Sequence, residues 1–122
     1  MSLIRVDIKS RVPIYEQIIV SVKKAILSGL LSGDEMLPSV RSLASELAIN
    51  PNTIQKAYTE LERQGIVYSV PGRGSFVSPN TDEIEDQHRR ETKEALSELL
   101  KEALRSGISK EEIISMIGDG KE

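Results

Sequence analysis

LPSVRSLASELAINPNTIQKAYTELERQG, residues 37–65, holds two amphipathic helical patterns on either side of an Asn-Pro-Asn connection. Pro38 blocks any helix running in from upstream, and Ser39 can cap the one that follows. Val40, Leu43, Ala44 and Leu47 then share one face, which predicts a short helix over about 39–48. Ile49-Asn-Pro-Asn52 makes the connection. Asn50 suits an N-cap and Pro51 the first helical position. Ile54, Ala57, Tyr58 and Leu61 give the next helix, 51–64, its buried stripe, and Gly65 ends it. Its other face carries Asn52, Thr53, Gln55, Lys56, Thr59 and Arg63. Two short helices joined by about three residues are the pattern of a helix-turn-helix.

Working outward, Ile14, Ile18, Val22, Ala25 and Ile26 recur at helical spacing, with Tyr15, Ile19 and Leu27 widening the stripe. They predict a helix over about 13–29, opened by Pro13 and closed by Gly29. Residues 1–11 read as a polar, mixed arm, and Ser32-Gly-Asp34 as a turn. Downstream, Ile66, Val67, Tyr68 and Val70 favour strand, as do Phe76 and Val77, with Pro71-Gly-Arg-Gly74 turning between them. A hairpin directly after the second helix of the pair is a wing. Ser78-Pro-Asn-Thr81 breaks the pattern. A long helix is expected from Thr81 to Gly107, then a last one opened by the capping box Ser109-Lys-Glu-Glu112 and terminated at Gly118.

The expected fold is mostly α with a small β-hairpin. Residues 1–79 form a winged helix-turn-helix domain and residues 80–122 a two-helix dimerisation tail. Composition agrees: 39% of the 122 residues are hydrophobic, but aromatics are few, so the core is aliphatic. There is no Cys, which excludes disulfides and thiolate metal sites. No run of about 18 apolar residues offers a membrane span, and the N-terminus lacks a signal-peptide layout. The protein is expected in the cytoplasm. The net charge of −3 looks wrong for a DNA binder. Its distribution matters more, because the acidic excess sits in the C-terminal third while residues 1–80 are mildly basic.

A recognition helix enters the major groove with its N-terminal end and needs donors and acceptors there. Asn50, Asn52, Thr53, Gln55 and Lys56 cluster at that end. Asn and Gln can pair bidentately with adenine, and Lys or Arg with guanine. Arg41, near the start of the preceding helix, is placed to reach a phosphate or a base. At the wing tip, Gly72 allows close backbone approach and Arg73 supplies a charge for phosphate or a minor groove. Each residue also has a plain structural reading: Asn50 as a cap, Gln55 and Lys56 as a solvated face, Gly72-Arg-Gly74 as an ordinary turn. Their order along the chain favours DNA. In the tail, Leu96, Leu99, Leu100, Leu104, Ile113 and Ile117 are the candidate dimerisation residues. The alternative is that the tail folds back on its own domain.

Pro13-Ile-Tyr-Glu-Gln17, Leu37-Pro-Ser-Val-Arg-Ser-Leu-Ala44, Asn50-Pro-Asn-Thr53, the Ala57–Glu62 segment and Gly72-Arg-Gly-Ser-Phe76 together resemble the N-terminal domain of GntR-family regulators. The two-helix tail resembles the YtrA-like subfamily. The resemblance implies a winged helix touching DNA through Arg41, Asn50, Asn52, Thr53, Gln55 and the wing at Gly72 and Arg73. It also implies repression, often of transporter operons that include the regulator's own gene. Other GntR branches carry Arg where Pro51 and Gln55 stand here, so the operator sequence does not carry over.

Double-stranded DNA and a second copy of the chain are therefore the expected partners. No cofactor, metal or membrane is expected, and the tail is too short for a separate effector domain. An enzyme is not expected. His88, the sole His, lies in a charged helical stretch, and no nucleophile stands beside a base. A winged-helix module that binds another protein is the rival reading.

Overall fold

The computed structural model describes residues 3–119, and the chain divides into two compact units, the first ending at Glu85 and the second beginning at Asp86. In the first unit, α1 is Ile14–Leu27, α2 Val40–Leu47 and α3 Pro51–Arg63, followed by β1 Val67–Val70 and β2 Gly74–Val77. The long helix α4, Thr81–Arg105, starts in this unit and continues into the second, where α5, Lys110–Asp119, follows it.

Helices α1 and α2 both pack against α3, whose other neighbour is β1. The aliphatic stripes meet as expected: Ile18, Ile19, Val22, Ala25 and Ile26 of α1, Leu43 and Ala44 of α2, and Ile54, Ala57, Tyr58 and Leu61 of α3 are all buried. Ile66, Val67 and Val77 extend this core beneath the hairpin. Tyr58 brings a polar tip into this core. Its hydroxyl donates to the Pro38 carbonyl at 2.7 Å and so ties α3 to the entrance of α2. Ser39 accepts the Ser42 N–H at 3.0 Å, and Asn50 accepts that of Asn52 at 2.8 Å, so both helices of the pair start on side-chain caps.

Three features depart from the sequence reading. The arm is docked, not free: Ile4 is in the core, and Gln17 of α1 binds it with Nε2 donating to the carbonyls of Asp7 and Val12 at 3.1 and 2.8 Å. Its Oε1 accepts the Asp7 N–H at 2.7 Å. The hairpin has a third member. Asp34 N–H donates to Val77, Val77 to Glu35, and Leu37 to Ser75, each at 2.8 Å, so the segment before α2 lines the free edge of β2. Finally, α5 runs through Gly118 to Asp119, where Gly118 was expected to stop it. One Gly weakens a helix without forbidding it.

The last helix does start as expected. Ser109 Oγ accepts the Glu112 N–H at 3.1 Å, and Glu112 Oε1 accepts the Ser109 N–H at 2.9 Å. The first unit reaches past the Ser78–Thr81 break because Ile84 still packs on the winged core.

Candidate nucleic-acid interface

The turn between α2 and α3 sets the site. Ala48 takes a left-handed conformation, φ 57° and ψ 48°, which ends α2 and swings the chain into α3. Asn50 then spends Oδ1 on the Asn52 N–H, and Pro51 occupies a position whose N–H would have no partner. The result is a capped helix start with exposed side chains at Asn52 and Gln55.

Arg41, Asn50, Asn52, Gln55 and Lys56 are exposed, and Thr53 is half-buried. Arg41, Asn52 and Thr53 have no side-chain hydrogen bond or ion pair among the described residues, so their donors and acceptors are available to a ligand. Gln55 donates from Nε2 to Thr59 Oγ1 at 3.2 Å, which leaves Oε1 and a second N–H for a base edge. Lys56 is held differently. Its ammonium lies 4.0 Å from the centroid of the Tyr15 ring on α1, a cation–π contact that fixes where the charge sits. Tyr15 is therefore part of this surface, although its spacing pointed only to a place in the α1 stripe. The tail end of α3 is less available. Arg63 donates from Nε to Glu60 at 2.9 Å, and this pairing, with a hydrogen bond from Gln64, holds the Glu60 carboxyl down at about 2.

At the wing, Arg73 N–H donates to the Val70 carbonyl at 2.9 Å and closes the turn. Gly72 has φ +78°, and nothing lies within 4 Å of where its Cβ would be, so its backbone is open to close approach. Arg73 is exposed, and its guanidinium carbon stands 5.9 Å from the Phe76 ring centroid.

The other residues named from sequence belong to the second unit. Leu96, Leu99, Leu104 and Ile117 are exposed, while Leu100 and Ile113 are half-buried. His88 is exposed on α4, its Nε2 within 3.4 Å of Thr92 Oγ1. Among the described residues no acidic or His cluster is arranged to hold a metal, and no helix is long and apolar enough to cross a membrane. An exposed, capped helix start bearing amides and a cation, beside a hairpin with an arginine tip, can offer hydrogen bonds to base edges and charge to phosphates.

Comparison with known proteins agrees with that chemistry. Residues 14–77 match the family described as bacterial regulatory proteins, gntR family. The transcriptional repressor YtrA of Bacillus subtilis is 42% identical over 113 residues, covering 91% of this chain and 86% of YtrA. Among solved structures, a GntR family transcriptional regulator from Listeria monocytogenes superposes with a TM-score of 0.80 at 34% identity, covering 95% of this chain and 100% of that one. The DNA-binding domain of AraR, solved in complex with an operator, superposes with a TM-score of 0.54 at 30% identity, covering 61% of this chain and 90% of that one. On the match across its winged unit and the likeness to YtrA along most of its length, the chain belongs to the gntR family of bacterial regulatory proteins, as a DNA-binding helix-turn-helix transcription regulator and not an enzyme.

Proposed function

We propose that the chain is a cytoplasmic repressor that binds a palindromic operator as a homodimer. Each protomer lays the N-terminal end of α3 in a major groove and its Pro71–Gly74 turn against the neighbouring backbone or minor groove. Arg41, Asn50, Asn52, Thr53, Gln55 and Lys56 make the groove contacts, and Gly72 and Arg73 make those of the wing. The observation that carries this reading is the exposed start of α3, where Asn52 and Thr53 have unused hydrogen-bonding groups.

The dimer rests on a separate observation. The second unit exposes Leu96, Leu99 and Leu104, together with Ile114, Met116 and Ile117, to solvent in the single chain. Helix-turn-helix dimers read two half-sites about one turn of DNA apart, which a self-complementary apolar face would arrange. YtrA being a repressor supports repression, and the resemblance to YtrA-like regulators supports a transporter operon and the chain's own gene as targets. Bound over a promoter, the dimer would block polymerase.

The test is a fluorescence-anisotropy titration of the duplex upstream of the protein's own gene, with excess nonspecific DNA and salt varied from about 50 to 200 mM. Binding that survives competitor and falls steeply with salt supports a sequence-specific regulator of its own gene. Binding equal to that of random duplex removes that operator from the proposal. If no duplex binds even at low salt, the DNA reading of these residues fails, and protein binding takes its place.

A further inference from the structure

The wing arginine is braced by a file of side chains that starts outside the hairpin. Arg73 stands 5.9 Å from the Phe76 ring centroid, within the reach of a cation–π contact of about 6 Å. Phe76 pairs with Tyr68 across the strands. Their rings stack with centroids 5.6 Å apart and planes inclined by 19°. Tyr68 in turn donates its hydroxyl to Asp34 Oδ1 at 2.8 Å. Asp34 belongs to the segment that lines β2, and its own N–H is bonded to Val77 at 2.8 Å. On the far side of Phe76, Met36 completes the row as its bridge partner.

An exposed arginine on a glycine-flanked turn has many rotamers, and binding DNA would freeze most of them. A ring held from behind narrows that choice beforehand. It also keeps the guanidinium close to the sheet, at the side of the turn where β2 leaves it. We propose that Phe76, backed by Tyr68 and Asp34, is a positioning residue for the DNA contact of Arg73; the inference rests on the wing contact proposed above. Phe76 touches no phosphate or base in this arrangement. Its effect on affinity passes through Arg73.

A double-mutant cycle on the full-length protein tests this. The probe is a duplex selected from a random pool by the wild-type protein, and the readouts are affinity, salt slope and thermal midpoint. Arg73→Ala should lower the magnitude of the salt slope by about 0.9, the value of one phosphate contact. Phe76→Leu should weaken binding by about two- to fivefold, the size of an exposed cation–π contact, and should do nothing further in the Arg73→Ala background. Phe76→Tyr, which keeps the ring, should bind as wild type. If the Phe76→Leu loss recurs in full without Arg73, the ring acts through the scaffold, and the positioning role is overturned. The same follows if Arg73→Ala weakens binding and Phe76→Leu does not. If Arg73→Ala itself binds as wild type, the wing contact falls and the positioning role falls with it. Should Phe76→Leu melt below the assay temperature, Tyr68→Leu, at a more exposed position of the same stack, runs the same cycle with the same expectations.

Discussion

Ala48 carries the sharpest local strain on the interface side of the molecule. Its φ of 57° brings Cβ close to the following carbonyl, a conformation that disfavours an L-residue by roughly 1–2 kcal/mol. The side chain is exposed, so glycine would lose no packing there. Part of the gain returns as entropy of the unfolded chain. Ala48→Gly should therefore stabilise the fold by about 0.5–1 kcal/mol, seen as a higher denaturant midpoint with an unchanged slope. A lower midpoint would mean that the turn is not left-handed in solution. Tyr58 makes the opposite case. Its hydroxyl satisfies the Pro38 carbonyl, so Tyr58→Phe should lose about 0.5–1.5 kcal/mol at neutral pH. Burial pushes the Tyr58 phenol well above its usual 10.0, so the folded state favours the neutral form. The stability linked to that group is present below pH 10 and is lost as pH rises above it. Wild type and Tyr58→Phe should then converge in thermal midpoint between pH 9 and about 11. Parallel curves would exclude Tyr58 as the group that titrates.

The elements were legible where periodicity was local. Among the described residues the helices and the hairpin follow from apolar spacing, caps and turn residues within a few positions of one another, and the Ser39, Asn50 and Ser109 caps formed as the spacing predicts. The misses are long-range. Nothing in residues 3–12 signals that Ile4 enters the core or that Gln17 will hold the arm, because the contacts follow no helical or strand period and the Asp7–Gln17 pair is ten positions apart. The strand-like pairing of residues 34–37 with β2 is likewise set by the edge that β2 leaves free. For the same reason the polar face of α3 could be read, whereas the Tyr15 ring under Lys56 could not. That face yields a prediction of its own. If Gln55 presents its free Oε1 and N–H to a base, Gln55→Ala should lower discrimination at one base pair by about 1–3 kcal/mol and leave the others unchanged. Competition binding against a panel of single-base operator variants measures this. Unchanged preference at every pair would remove Gln55 from the base contacts and shift readout to Asn52 and Thr53.

At the scale of the whole molecule, the two units divide the sources of stability between them. The first closes its core within one chain, with Val22, Leu43, Ile54 and Leu61 all fully buried. The second has no buried residue along α4, and its apolar positions Leu96, Leu99, Leu100, Ala103 and Leu104 recur at i, i+3, i+4, i+7 and i+8, the stripe of an amphipathic helix, which the proposed dimer would cover. Burying four or five such side chains is worth roughly 1.5–3 kcal/mol each, against an association cost that takes back much of the gain. Self-association should thus be concentration-dependent and sensitive to one misplaced charge. Leu99, 63% exposed in the single chain, is the position to change, because a charge there is tolerated in a monomer and unpaired in a dimer. If the proposed dimer forms through this stripe, the wild type should sediment as a dimer and Leu99→Glu as a monomer at the same concentration, with the melting of the winged unit unchanged. Its affinity for a single half-site should equal that of the wild type, while binding to a two-half-site operator should weaken sharply, since linking two sites raises their effective concentration. An intact Leu99→Glu dimer would move the interface off this stripe, and a monomer that still held both half-sites as tightly would separate operator binding from the tail.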